Sequence, residues 1–202
     1  MKTILYYIHD PMCSWCWGFK TSWDAMRAQL SENLDIRYVV GGLAPETQEP
    51  MPMEMRETLE QTWRSVSEKT GASFNYDFWS SNIPKRSTYP ACKAVLLARD
   101  AGKELEMIAA IQTLYYQQAG NPSDYEQLYR LAGESGMDAE TFKQAIHSDA
   151  IQQRLMEEIM FAESLGAQGF PSLVLEKDGE RMFISHSYTD VKANLLRIEP
   201  YI

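Results

Sequence analysis

The order of strand and helix signals is the feature that most constrains the fold of this chain. Residues 3–8 (TILYYI) are β-branched and aromatic, which predicts a buried strand. This strand ends at Asp10-Pro11, because proline lacks the N–H that a strand ladder requires. Apolar residues then recur every three or four positions, which predicts a helix from about Cys13 to Leu30, and DIRYVVGGL predicts a second strand closing on Gly41-Gly42. Strand, helix and strand in this order indicate a parallel βαβ unit with a right-handed crossover.

The middle of the chain, residues 45–166, carries helix signals and no convincing strand. Helices are predicted over about residues 52–69, 87–102, 103–119 and 149–165. The second of these segments is apolar on most sides, so we expect a buried helix with Ser87 or Thr88 as its cap. Ser123 and Glu126 have the spacing of a capping box and predict the start of another helix.

The end of the chain returns to strands. PSLVLE and RMFIS predict two strands joined by the hairpin turn KDGE, and a short helix is expected over about residues 189–196. Without the middle, the order is βαβ followed by ββα. This order predicts an α/β fold in which residues 1–44 and 167–202 form one domain and residues 45–166 form an all-helical insertion after the second strand.

Charge and hydropathy exclude several classes of function. The formal net charge is −9 and no Lys/Arg cluster stands out, whereas nucleic acids and anionic membranes require a basic surface. No stretch approaches the roughly 18 apolar residues of a membrane span. The apolar run over residues 4–8 is too short for a signal peptide, so we expect an unprocessed, cytoplasmic protein with neither a nucleic-acid nor a membrane partner.

Cys13 and Cys16 lie where the first strand gives way to the first helix. The free N–H groups and the dipole of a helix start stabilise a thiolate, so Cys13 is expected to be the exposed, attacking sulfur. Cys16 begins the apolar stripe one turn later and is expected to be the buried, resolving sulfur. Cysteines at i and i+3 on such a turn can reach disulfide distance, so the pair is a candidate redox dithiol.

A metal site is the main alternative for a Cys-x-x-Cys pair. Zinc requires four ligands, and the remaining candidates do not form a second close pair: Cys92, His9, His147 and His186. We therefore expect neither a metal nor another cofactor. An iron–sulfur cluster shared across a dimer stays an alternative that no further Cys pair supports.

HDPMCSWCWGF, the βα continuation, the long helical insertion and the late GAQGFPSLVLE together resemble the DsbA-like branch of the thioredoxin superfamily. The resemblance implies a thioredoxin-like fold and a cis-proline at Pro171, held in Gly169-Phe170-Pro171 and facing the reactive cysteine. It also implies that the backbone of Phe170 pairs with an extended substrate and that the proline ring keeps stray metal off the dithiol. The intervening Ser14-Trp15 is closer to the Pro-Trp of cytosolic relatives than to the Pro-His of the strongly oxidising periplasmic enzyme.

Three tryptophans near the dithiol receive different interpretations. Trp15 lies on the turn between the cysteines and is a candidate substrate contact, as is Ser14. Trp17 either belongs to an apolar rim that contacts substrate or packs against the helical insertion. Trp23 lies on the apolar stripe and is expected in the core.

Five further polar residues are expected to be structural. Asp10 should cap the helix or the adjoining turn, and His9 should make an ordinary hydrogen bond rather than stabilise the thiolate as a cation. Cys92 is expected to be a small buried hydrophobe, unless the insertion covers the dithiol and Cys92 receives a second disulfide. His147 and His186 are expected on the surface.

The sequence therefore predicts a thiol–disulfide oxidoreductase that acts on protein or small-molecule disulfides, with glutathione as a candidate electron donor. The alternative on the same fold is a glutathione-dependent isomerase or transferase of the kappa-class type. Those proteins usually have Ser at the first Cys position, so Cys13 counts against this branch. A third class, a non-enzymatic adaptor or metal-binding module, is also left open.

Overall fold

The computed structural model describes residues 3–30 and 34–202 and contains a four-stranded sheet in the order β2-β1-β3-β4. Its strands are β1 (Thr3–His9), β2 (Leu34–Val40), β3 (Ser172–Lys177) and β4 (Glu180–Ile184). β2 runs parallel to β1, whereas β3 is antiparallel to both β1 and β4. The predicted βαβ unit and the C-terminal hairpin are both present, and the hairpin turns at Asp178 and Gly179, which both have positive φ.

The helices fall mainly between β2 and β3. They are α1 (Ser14–Arg27), α2 (Met53–Thr70), α3 (Phe78–Ser81), α4 (Tyr89–Asp100), α5 (Glu104–Tyr116), α6 (Tyr125–Glu134), α7 (Ala139–Ala145), α8 (Asp149–Ser164) and α9 (Val191–Ile198), followed by a 3₁₀ helix (Glu199–Tyr201). The segment from α2 to α8 is the predicted helical insertion after β2, and its status as a separate domain stays a prediction. None of these described helices is long and apolar enough to cross a membrane.

β1 is one of the two interior strands of the sheet and is buried on both faces. Alternate side chains of a strand point to opposite sides, so Leu5 and Tyr7 pack with Phe19 and Trp23 of α1, while Tyr6 and Ile8 pack against residues of α8. A strand covered on both sides favours an uninterrupted apolar sequence, which is what residues 3–8 show. This packing fixes the C-terminal end of β1 under the start of α1, where the cysteines lie.

Most buried apolar residues of the helical segment form one cluster, which also includes Met12 and Val40, and Trp63 of α2 lies at the centre of a group of aromatic rings within it. A polar joint connects this segment to the sheet. Arg99 of α4 donates to Glu158 of α8 and to the carbonyl of Tyr38, while Glu158 accepts the N–H of Val40. The joint therefore occupies hydrogen-bonding groups along the outer edge of β2.

One predicted helix cap is wrong, and another is right in position but makes no capping hydrogen bond. Asp124, rather than Ser123, caps α6 by accepting the N–H of Glu126, because the Ser123 hydroxyl donates to the carbonyl of Ser87. Thr88 stands at the N-terminal boundary of α4 but makes no capping hydrogen bond there. Its hydroxyl instead donates a hydrogen bond to the Asp10 carboxylate.

Candidate active site

Cys13 is the residue immediately before α1, and its backbone N–H donates to the carbonyl of Asp10 at 3.0 Å. Both Cys13 and Cys16 are free thiols. Cys16 is fully buried, as expected, but the expectation of an exposed Cys13 is wrong, since Cys13 is only 6% exposed. The loop before β3 covers it: the Cys13 thiol donates to the carbonyl of Phe170 at 3.5 Å.

The two thiols differ in acidity. A hydrogen bond from the Cys16 thiol lowers the pKa of Cys13, helped by the N–H groups of Cys16 and Trp15, although burial acts in the opposite direction. Burial raises the pKa of Cys16 well above its usual value. The difference has the direction that an attacking sulfur at Cys13 and a resolving sulfur at Cys16 require.

The Gly169-Phe170-Pro171 loop lies directly beside the dithiol, and the Phe170–Pro171 peptide bond is cis. The ring of Phe170 rests on Gly41, where an added Cβ would lie 2.0 Å from ring carbons. A groove of about 520 Å³ runs along this loop, lined by Gly169, Phe170, Pro171 and Phe183 among others. Sequence patterns gave no reason to link Gly41 with this loop, because they did not show which side chain crosses the end of β2.

The tryptophans near the cysteines have different surroundings. Trp15 is half-buried, with its ring 5.2 Å from that of Tyr188 and 5.4 Å from the Lys69 ammonium group. Trp17 donates from its indole N–H to the Ser73 carbonyl at 3.0 Å and stacks on Tyr116. Trp17 therefore packs against the helical insertion, which was one of the two interpretations of this residue.

Substrate contact by Ser14, Trp15, Trp17 or Phe170 stays a prediction, as do the roles of Cys13, Cys16 and Pro171. Ser14 is half-buried and is the first residue of α1. Trp23 is buried against β1, as predicted.

Asp10 is completely buried beneath the turn. Its carboxylate accepts hydrogen bonds from the N–H groups of Met12 at 2.8 Å and Leu43 at 2.7 Å, and from the Thr88 hydroxyl at 2.7 Å. The Cys92 thiol is a further donor, at 3.4 Å. Asp10 thus holds the turn after β1, which was one of its two predicted structural roles, and Cys92 is more than an apolar filler.

The three histidines differ in their surroundings, and the prediction for His9 is wrong. His9 was expected to make an ordinary hydrogen bond, but both of its ring nitrogens are buried without a partner among the described residues. Burial lowers the pKa of His9 to about 3, so the ring is neutral and does not act as a cation beside the thiolate. His186 was expected on the surface and is of intermediate exposure: its ring centroid lies 4.6 Å from that of Phe19, and its ring nitrogens are buried without a partner among the described residues. His147 is exposed, as predicted, and pairs with the Tyr129 hydroxyl.

Within residues 3–30 and 34–202, no group of three or more His, Cys, Asp or Glu side chains is arranged to hold a metal ion.

Thioredoxin-like proteins have this arrangement, in which a Cys-x-x-Cys turn follows one interior strand, here β1, and faces a proline loop that precedes its neighbour in the sheet, here β3. Residues 4–195 match the family described as the DSBA-like thioredoxin domain, and the chain belongs to this family. The predicted resemblance to the DsbA-like family and the predicted fold class are thereby confirmed.

Solved structures agree with this assignment. The chain is similar to a candidate protein disulfide isomerase from Nitrosomonas europaea, with 30% identity and a TM-score of 0.86 over 100% of this chain and 98% of that one. It is also similar to the cytosolic disulfide reductase DsbM from Pseudomonas aeruginosa, with 25% identity and a TM-score of 0.75 over 90% and 89% of the two chains. DsbM has in addition been solved with GSH.

Among curated proteins, the chain is similar to the ClpXP adapter protein SpxH of Halalkalibacterium halodurans, with 21% identity over 97% of this chain. The chain spans about two thirds of that relative, 68% of its length.

Proposed function

We propose that this protein is a thiol–disulfide oxidoreductase whose redox centre is the Cys13/Cys16 dithiol. The observation that carries the proposal is the pairing of an acidified Cys13 with a fully buried Cys16 beside the Phe170 carbonyl. Membership of the DSBA-like family and similarity to a disulfide reductase support the same class of reaction.

In the proposed reaction, the Cys13 thiolate attacks a substrate disulfide and forms a mixed disulfide, and one substrate thiolate leaves. The Cys16 thiol then gives up its proton and its sulfur attacks Cys13. This second exchange releases the other substrate sulfur, which takes a proton, and leaves the Cys13–Cys16 disulfide. Two electrons have then passed from the dithiol to the substrate, and the reverse sequence would oxidise a substrate dithiol.

The substrate is proposed to approach along the groove beside Gly169, Phe170 and Pro171. The Phe170 carbonyl, which accepts a hydrogen bond from the Cys13 thiol in the resting protein, becomes free for a substrate N–H once Cys13 is bonded to the substrate. Trp15 and Ser14 lie on the same turn as Cys13 and would border the other side of the substrate.

Net reduction or isomerisation of protein or small-molecule disulfides is the proposed direction, in the cytoplasm. The similarity to DsbM, a cytosolic disulfide reductase, supports both the direction and the location. Glutathione is the proposed electron donor, and the support for it is that DsbM, to which this chain is similar, has been solved with GSH.

The deciding experiment is Cys16→Ser, which removes the resolving sulfur. Mixed disulfides through Cys13 should accumulate, and reduction of a disulfide substrate should stop after one exchange. Cys13→Ser should abolish both reactions. The matched control is Cys92→Ser, which changes the third buried thiol and should leave exchange largely intact.

The proposal fails if Cys16→Ser forms no adduct while Cys13→Ser still exchanges disulfides. Saturable glutathione binding that survives loss of Cys16, with turnover of an aromatic electrophile, would instead favour the isomerase or transferase. Stoichiometric metal in protein purified without chelator would favour the third class, a non-enzymatic adaptor or metal-binding module.

A further inference from the structure

Asp10 is a buried acidic residue that the proposed reaction does not use. It is 0% exposed, and its carboxylate receives donors from three separate segments of the chain. Met12 belongs to the turn before α1, Leu43 to the loop after β2, and Thr88 with Cys92 to the start of α4. The same residue supplies the carbonyl that binds the Cys13 N–H, so Asp10 and the reactive turn form one hydrogen-bonded unit.

The contacts of Asp10 are those of an ionised carboxylate. The N–H groups of Met12 and Leu43 can only donate. The Thr88 hydroxyl accepts the N–H of Ala44 at 3.1 Å, which leaves its own proton for Asp10. A buried carboxylate that accepts several hydrogen bonds is held in its charged form, and the adjacent N-terminal end of α4 adds a favourable dipole. Burial raises the pKa of Asp10, and these hydrogen bonds oppose that increase.

We propose that Asp10 is a positioning residue whose negative charge holds the Cys13/Cys16 pair toward its disulfide form and so makes the protein a reductant. A thiolate at Cys13 and the Asp10 carboxylate are like charges in a buried site, whereas the disulfide is uncharged. A dithiol protein is strongly oxidising when its reduced form is stabilised, and the charge of Asp10 acts in the opposite sense. The start of α1 and the Cys16 thiol keep Cys13 acidic enough to attack, while Asp10 limits how far the reduced form is stabilised.

This inference rests on the proposed function, because it assigns the direction in which that dithiol works. The relevant equilibrium is the oxidation of the dithiol by glutathione disulfide, which yields the Cys13–Cys16 disulfide and two glutathione thiols. Two electrons pass to glutathione, and each of the two thiol protons goes to one glutathione sulfur.

The test is Asp10→Asn, which keeps the shape of the side chain and removes the charge. The titration midpoint of Cys13, followed by thiolate absorbance, should fall by about one unit. The equilibrium constant for oxidation by glutathione disulfide should fall about tenfold, which corresponds to a potential about 30 mV more positive. The matched control is Cys92→Ala, which removes the most distant donor and leaves the carboxylate in place. For this variant the Cys13 midpoint should move by less than about half a unit and the equilibrium constant by less than about threefold.

The inference is wrong if folded Asp10→Asn leaves the midpoint and the equilibrium constant unchanged, or if Cys92→Ala moves both as far. If the Asp10→Asn protein does not fold, Asp10→Ser provides an uncharged acceptor and should give the same two shifts. The unmodified protein gives a third measurement: its infrared spectrum at pH 7, assigned by isotope labelling of aspartate, should contain no protonated carboxyl band from Asp10. Thiol titration and infrared spectroscopy need no substrate. If the protein shows no disulfide exchange, the proposed function is refuted, and these two measurements still test the role of Asp10.

Discussion

At the level of single residues, the acidity of Cys13 depends on its partner in the dithiol. The largest contribution to its lowered pKa is the hydrogen bond from the Cys16 thiol. Cys16→Ala removes that donor and should raise the pKa of Cys13, while Cys16→Ser retains a hydroxyl donor and should raise it less. The measurement is the pH dependence of alkylation of Cys13 by iodoacetamide, with modification sites assigned by mass spectrometry.

If Cys16→Ala and Cys16→Ser give the same midpoint for the alkylation of Cys13, the hydrogen bond from residue 16 does not determine the acidity of Cys13. Alkylation in urea provides the reference, because unfolding removes the hydrogen bond and should bring all variants to one thiol midpoint.

His9 should make stability depend on pH. Its pKa is about 3 in the folded protein and 6.5 in an exposed chain, so the unfolded state binds more protons between these values. The stability contributed by neutral His9 is present above pH 6.5 and is lost as the pH falls toward 3. Between pH 7 and pH 5 we expect a loss of about 2 kcal/mol from this residue.

Urea unfolding at pH 7 and pH 5 measures this loss directly. His9→Phe keeps an aromatic ring between Tyr7 and Tyr38 and removes the titrating nitrogens, so most of the loss should disappear. The control is His147→Gln at an exposed site, which should retain the pH dependence of the unaltered protein. Equal pH dependence in His9→Phe and the unaltered protein would show that other groups are responsible.

At the level of elements, the end of β2 and the loop before β3 pack closely because Gly41 has no side chain. Gly41→Ala would place a Cβ at 2.0 Å from the Phe170 ring, so the ring and its loop must move. We expect a loss of about 1–3 kcal/mol from such overpacking, together with a weaker contact between Cys13 and the Phe170 carbonyl. Denaturant unfolding and the alkylation rate of Cys13 measure the two effects.

The control for this substitution is Gly133→Ala in α6, where an added Cβ meets nothing within 4 Å. There we expect a gain of about 0.5–1 kcal/mol from helix propensity. Combining Gly41→Ala with Phe170→Ala should cost less than the sum of the two single changes. Strict additivity would mean that the ring is not what Gly41 accommodates.

The elements that periodicity specifies well were predictable, and the missed ones have identifiable reasons. β1, α1, β2 and the hairpin carry strong local patterns, and so did the dithiol and the proline loop. The helices α3 and α7 are short, with 4 and 7 residues, so their apolar period is not established. Ser123 and Asp124 are neighbouring cap formers, and the choice between them depends on Ser87, which is 36 positions away in the chain.

The polar centre of the site was the least predictable part. Asp10 meets Thr88 and Cys92 across 78 and 82 positions of sequence, and no local pattern connects residues so far apart. The prediction that Cys13 is exposed failed for a similar reason. The loop that covers Cys13 contains Phe170, which is far from Cys13 in the sequence. Long-range contacts of polar groups require the fold itself.

At the scale of the whole molecule, the helical segment both covers the edge of the sheet and contributes to the candidate site. Arg99 and Glu158 occupy backbone groups of Tyr38 and Val40 on β2, which protects one sheet edge. The start of α4 reaches the dithiol turn through Asp10. The same segment is thus tied to the sheet twice, once at a structural edge and once beneath the reactive cysteines.

The joint at β2 should therefore be costly to break. Glu158 is 13% exposed, accepts the Val40 N–H and is paired with Arg99. Glu158→Ala leaves a buried N–H without its acceptor and removes one of the two carboxylates paired with Arg99, so we expect a loss of about 2–4 kcal/mol in the free energy of unfolding. The control is Glu134→Ala, which breaks an exposed pair with Arg130 and should cost less than about 0.5 kcal/mol. Urea unfolding of both variants measures the difference, and equal costs would mean that the joint does no more for stability than an ordinary surface ion pair.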